Sequence, residues 1–254
     1  MDKNDNNDEQ GQMYTQFLKQ CFTLWINPEI EKRKKEGKIS DKFIIVRAQI
    51  LLPLGSPAIV RLNNEVKAVV KAKINKKIEK DQLLYESDVE SIEEISLTDE
   101  EKDFGHATFI LFKGHWILSF SFIYDKTKSQ SFNKIGQQYL QSATYDLKNK
   151  NYRPFIESLS VSAENFAKAR LYLLPDLEVR KLKKHSSLAR KVCFYAKTSN
   201  IISSDFKDSF NSLLKLRDKA RYNPDFSIKV REARALHEAV DNFKKEVLNL
   251  LSTA

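Results

Sequence analysis

Two cysteines, Cys21 and Cys193, are all that the 254 residues contain. They lie far apart in helix-like contexts and no Cys-x-x-Cys spacing occurs. A disulfide framework and a thiolate metal site are therefore excluded, and two reduced, mostly buried thiols are the expectation. Six glycines and six prolines exclude a loop-rich or low-complexity chain. No apolar run approaches the roughly 20 residues that a membrane helix needs, so no membrane partner is expected. The opening residues, Met1 to Gln10, are polar and acidic, the opposite of a secretory signal, and are expected to be disordered. A soluble, cytoplasmic protein is the expectation. There is no glycine-rich phosphate loop, no nucleophile elbow and no cluster with metal-ligand spacing. A P-loop hydrolase, a serine hydrolase or a zinc enzyme would each want a site that is missing, and no cofactor or metal is expected.

What is present is charge, unevenly spread. The net charge is +9. From Thr127 onward there are 24 Lys and Arg against 13 Asp and Glu, whereas residues 1–126 hold 19 against 21. The second half carries the whole excess. Such asymmetry suits a polyanionic partner, most simply nucleic acid, or it belongs to a Lys-rich helical domain that binds nothing anionic.

The periodicity divides the chain at the same place. A helix is predicted over Gly11–Ile26, then a second over Pro28–Glu36 with Asn27 as its N-cap. The run Lys32-Arg33-Lys34-Lys35 on the second reads as a solvated face more readily than as a phosphate contact. Strands are predicted at Phe43–Leu52, Ile59–Leu62, Val66–Ile74 and near 89–96. In the third, Val66, Val70 and Ile74 share a buried face. Ala107–Phe112 and Trp116–Tyr124 flank Lys113-Gly114-His115 and predict a hairpin with His106 and His115 at its edges, too few histidines for a metal site. Asp125–Gln130 reads as a linker. Five helical segments follow: 131–148, 152–174, 183–198, 204–223 and 227–251, with Phe132, Ile135, Tyr139, Ala143 and Leu147 as the inner stripe of the first. The last turns Val230, Ala233, His237, Val240, Val247 and Leu251 inward. The fold class expected is α+β: a mainly antiparallel β domain with flanking helices over 1–126, then an antiparallel helical bundle over 131–254.

One stretch of the bundle suggests a site. Phe206, Phe210, Leu213 and Arg217 are spaced by four, three and four. At about 100° per residue Arg217 falls within roughly 20° of Phe206, so it points along the apolar stripe. Arg221 flanks the same face. An arginine there is paired with a carboxylate, for which Glu164, Glu157 and Asp218 are at hand, or it is aimed at a phosphate. Glu157, Glu164 and Lys168 lie on the helix before, and Lys183-Lys184-His185-Ser186 forms a basic turn.

These pieces resemble a HEPN domain, a helical domain of nucleotide-binding proteins. The resemblance rests on Glu157-x6-Glu164-Asn-Phe-Ala-Lys168, on His185-Ser-Ser-Leu opening the next helix, and on Phe210-Asn-Ser-Leu-Leu-Lys-Leu-Arg217-Asp-Lys-Ala-Arg221-Tyr222, in that order. It covers residues 131–252; the N-terminal β-rich half matches no family by eye, and its partner is unknown. The resemblance implies an RNA-linked role, with bacterial stress or phage defence as its setting, and a homodimer formed through the bundle. It implies metal-independent ribonuclease chemistry in which an Arg and a His, four to six residues apart, share a cleft. Arg217 matches the Arg. The His is absent, and Tyr222 stands in that region; a phenol is a poor general base at neutral pH. On this resemblance Arg217 and Tyr222 are the candidate catalytic residues. Arg221, Lys183, Lys184, His185 and Lys168 are the candidate RNA-binding residues. The alternative is a non-catalytic dimerising scaffold.

Overall fold

In the computed structural model the described residues are 5–77, 82–182 and 184–252. They divide into two compact units, Met1–Phe122 and Ile123–Ala254. The first holds the strands and the second only helices, which is the α+β arrangement expected.

In the first unit helix α1 (Asp5–Cys21) begins inside the stretch expected to be disordered. It runs through a π turn, Phe22–Ile26, into α2 (Asn27–Lys35) without a break. Asn27 is thus not an N-cap: its φ of −61° is helical and its N–H reaches back to Phe22 O, five residues away. The wide turn lets Pro28, which has no N–H and whose ring crowds the preceding turn, ride inside a continuous helix. Gly37, at φ +69°, ends α2, and Lys38 N–H closes the turn on Arg33 O at 2.9 Å. The basic run is mostly neutralised locally: Arg33 bonds Glu29 and Glu65, and Lys34 bonds Glu31.

Four strands form an antiparallel sheet in the order β2 (Ile59–Leu62), β1 (Arg47–Leu52), β5 (Gly105–Phe112), β6 (His115–Ser121). The β5–β6 hairpin pairs Phe112 with His115 across a two-residue turn. Both turn residues, Lys113 and Gly114, have positive φ, the conformation that matches strand twist. The helices cover one sheet face, with Cys21, Ile26, Ile50, Leu62 and Phe109 buried between them. His106 is buried, and its Nδ1 lies 3.1 Å from Thr108 Oγ1.

The ribbon of β3 (Val69–Ile74) and β4 (Val89–Ser96) pairs as a separate two-stranded sheet. Its strand positions agree with the alternation, but the predicted buried face does not: Val70 and Ile74 are exposed along with Val69. Two register shifts twist this ribbon, and it meets the first sheet near Ile95, which is buried and whose carbonyl accepts from the Ser119 hydroxyl at 2.5 Å, leaving Val69, Val70 and Ile74 outside that contact.

The second unit packs α3 (Lys126–Lys148), α4 (Tyr152–Tyr172), the single turn α5 (Leu177–Arg180), α6 (His185–Thr198), α7 (Ser204–Tyr222) and α8 (Val230–Ser252). Helix α3 opens at Lys126, so the expected linker is its first turn. Asp125, at φ 42°, precedes it, and Ser129 hydroxyl donates to Ala169 O at 2.7 Å. The buried side of α3 is Ser129, Asn133, Gly136, Leu140 and Ala143, with Ile135 and Tyr139 exposed. Of the expected stripe Ala143 is buried and Phe132 and Leu147 pack against the core, but Ile135 and Tyr139 turn outward, because small residues set the closest approach to α4. A Cβ on Gly136 would stand 2.7 Å from the Phe166 ring. On α8 the expected stripe holds at Ala233, Val240 and Val247, which are buried together with Leu236 and Phe243, while Val230 at the helix start is exposed.

Helix α4 is the axis of the bundle and touches α3, α6, α7 and α8. Phe155, Ile156, Leu159, Ala163, Phe166, Ala167 and Leu171 have no exposed surface. Each large side chain among them contributes about 1.5–3 kcal/mol by leaving water. A helix enclosed on most sides must also satisfy its polar residues internally. Ser160, Ser162 and Asn165 do so with main-chain carbonyls, at 2.7, 2.9 and 2.8 Å. Glu164 remains, 5% exposed and needing a cation.

Candidate functional site

Two elements answer that need. Arg217, from the inner face of α7, puts Nη1 3.1 Å from Glu164 Oε1. His185, the first residue of α6, puts Nδ1 2.7 Å from the same oxygen. The α7 periodicity fixes the first, since Phe206, Phe210 and Leu213 are buried on the stripe that Arg217 continues. The second follows from the chain turning after α5 so that α6 starts over α4.

Glu157, two turns before Glu164, completes the cluster. Its Oε2 accepts from Arg217 Nε at 3.3 Å and from Arg221 Nη2 at 2.7 Å, and its Oε1 accepts from Arg221 Nε at 2.5 Å. That bond to Glu157 holds the Arg221 guanidinium above its ordinary range. Two carboxylates from α4 are thus shared by two guanidiniums from α7 and one imidazole from α6. Exposure grades outward: the side chains are 6% exposed for Glu164, 14% for Arg217, 30% for Glu157, 41% for Arg221 and 63% for His185.

Chemically this is an oriented imidazole beside a held guanidinium. A carboxylate behind Nδ1 makes that nitrogen the N–H donor, so that in the neutral imidazole Nε2 carries the lone pair. The guanidinium beside it can stabilise developing negative charge.

Of the residues expected at a site, Arg217, Arg221 and His185 are brought together. The structure therefore makes Arg217 a member of an intramolecular ion network with both Glu157 and Glu164. Tyr222 is 79% exposed and stands outside that network. Lys184 is the exposed N-cap residue of α6. Lys168 leans the other way, its ammonium 5.6 Å from the centre of the Phe132 ring. Lys183 lies outside the described residues.

Sequence reasoning missed Arg153. It donates to Ala220 O at 2.6 Å, Asn223 O at 2.7 Å and Pro224 O at 2.5 Å, and so pins the end of α7 on which Arg221 sits. Four carbonyls at a helix end need donors, and an Arg one turn before Glu157 was the available signal. Among the described residues no group of three metal-ligating side chains occurs, and no helix is long and apolar enough to cross a membrane.

Order, spacing and the shared carboxylate now stand together with a comparison: residues 130–250 match the family model of the HEPN domain. The helical unit is a HEPN domain. The match begins within α3 and ends within α8, so the Glu157–Glu164–His185–Arg217–Arg221 cluster lies wholly inside the HEPN domain. The N-terminal half has no family match. No curated protein matches the chain.

Proposed function

We propose that this protein binds RNA through its HEPN domain, on the face where α6 begins and α7 ends. Arg217 and Arg221 are the groups that meet a phosphate, Lys184 and His185 border them, and Lys183, next in sequence, is a further RNA-binding candidate. Lys168, whose ammonium lies over the Phe132 ring, reaches RNA only by leaving that ring, and Tyr222 offers an exposed ring on which a base can stack. The observation that carries this reading is the single oxygen of Glu164 shared by Arg217 and His185. It sets an imidazole and a guanidinium side by side where the six residues that follow Arg217, Asp218 to Asn223, supply no histidine.

If the domain cleaves RNA, the reaction needs no metal. His185 takes the proton of a ribose 2′-hydroxyl, the 2′-oxygen bonds to phosphorus, and the bond from phosphorus to the 5′-oxygen breaks. The leaving oxygen takes a proton from water, and the hydroxide so formed takes the proton from His185. Arg217 stabilises the phosphorane charge, as the residue class does elsewhere. A homodimer through the bundle and a role in bacterial stress or phage defence are the setting we propose.

A second reading has its own observation. Arg217 is neutralised within one chain, which suits a structural ion network in a non-catalytic, dimerising interaction protein. One experiment separates them: total RNA incubated with the full chain in chelator, beside Arg217→Ala and His185→Ala. RNA binding lost with Arg217→Ala supports the first reading. Cleavage lost with either variant adds the ribonuclease step. Absence of both binding and cleavage in the native protein leaves the second.

A further inference from the structure

The carboxylate of Glu157 is placed as a phosphate would be. Its two oxygens face the Nε–Nη2 edge of Arg221 in two parallel bonds, at 2.5 and 2.7 Å, and one of them also takes Arg217 Nε. That edge of a guanidinium receives a carboxylate or two phosphate oxygens with the same geometry. We propose that Glu157 occupies the phosphate subsite of this domain, and that an RNA phosphodiester enters by displacing it from Arg217 and Arg221. The proposal rests on the RNA-binding reading above and adds to it how the site is kept closed.

Three observations favour displacement over simple addition. The first is charge. Glu157 and Glu164 balance Arg217 and Arg221, so a phosphodiester placed beside an undisturbed Glu157 would meet a like charge. Exchanging one anion for the other keeps the balance. The second is exposure. Glu164 is 6% exposed and held by both His185 and Arg217, so it stays; Glu157 is 30% exposed and its main partner Arg221 is 41% exposed, so the Glu157 side chain can turn outward into solvent. The third is support. Arg153 holds the carbonyls at the end of α7, which keeps Arg221 in place when its carboxylate leaves. An intramolecular carboxylate therefore competes with every incoming phosphate and sets the affinity and salt dependence of the site.

The test is binding of a fluorescein-labelled oligouridine to the full chain, read by anisotropy across a KCl series. Native protein, Glu157→Gln, Glu157→Asp and Arg221→Ala are compared, each checked by thermal melting. Removing the competitor is expected to tighten binding by about tenfold, one factor of ten in the dissociation constant. It also steepens the salt slope by about 0.7, the value of one further neutralised phosphate. Glu157→Asp, whose shorter side chain cannot keep both bonds, falls between, and is the variant to read should Glu157→Gln not fold. Arg221→Ala loses binding. Unchanged or weaker binding by the Glu157 variants, with Arg221→Ala still defective, overturns the displacement and leaves the RNA reading standing. Failure of all four proteins to bind overturns both.

Discussion

Arg180 and Arg217 stand in the same bundle and spend their donors differently. Arg180 reaches Asp125 at 2.8 Å and then three main-chain carbonyls, those of Tyr172, Leu174 and Asp176, at 2.7, 2.7 and 2.8 Å. Those carbonyls belong to the turn between α4 and α5 and cannot move without unfolding it. Arg217 reaches only carboxylates, whose side chains can turn to new partners, and one of those also holds an exposed imidazole. Burial alone does not separate the two, since their side chains are 17% and 14% exposed. The kind of partner does. An arginine bound to main chain holds the fold, while one bound to side chains at a graded surface can exchange them for a ligand.

The largest effect should follow from Arg180→Ala, which strips a partly buried carboxylate and three carbonyls of their donor. We expect a loss of about 3 kcal/mol or more in chemical denaturation, with RNA affinity of the folded fraction unchanged. Equal RNA loss would erase the distinction between the two arginines. Next comes Arg217→Ala, at about 1–2 kcal/mol, since His185 still faces Glu164; here RNA binding should fall more than stability does. Third, His237 sharpens the contrast by pH. Thr144 gives its hydroxyl hydrogen to Leu140 O, so His237 Nε2 donates to Thr144 Oγ1 at 2.8 Å. Burial, followed by the opposing effect of Asp241, leaves this imidazole below its ordinary value of 6.5. The unfolded chain then binds the proton more readily, so stability should decline as pH falls below that value. Melting temperatures across that range should show the decline, and His237→Gln should flatten it. Smallest is Tyr222: replacement by Ala should weaken RNA binding a few-fold, and replacement by Phe should leave it unchanged in the same anisotropy measurement.

Much of this was open to reading from the chain. Arg217 on the stripe of Phe206 and Phe210 followed from helical spacing, and its two partners, Glu157 and Glu164, were among the three carboxylates at hand, Asp218 being the third. The β5–β6 turn at Lys113-Gly114 was equally plain. The failures share a cause. On α3 the closest contact is made by Ser129 and Gly136, which hydropathy barely weights, so the larger Ile135 and Tyr139 were placed inward beside Phe132, Ala143 and Leu147, which do face the core. At Pro28 the wide turn that keeps the helix continuous has no residue signature of its own. The partner of His185 could not be read at all, because Glu164 and His185 meet only through the path of α5, a tertiary fact.

The most direct measurement is the salt dependence of single-stranded RNA binding by the native chain and by Arg217→Ala. If the cluster meets phosphate, log affinity falls linearly with log salt in the native protein, and the variant binds more weakly with a slope shallower by about 0.7. Superimposable lines for the two proteins, both folded, would show that Arg217 serves the bundle alone and would contradict the account.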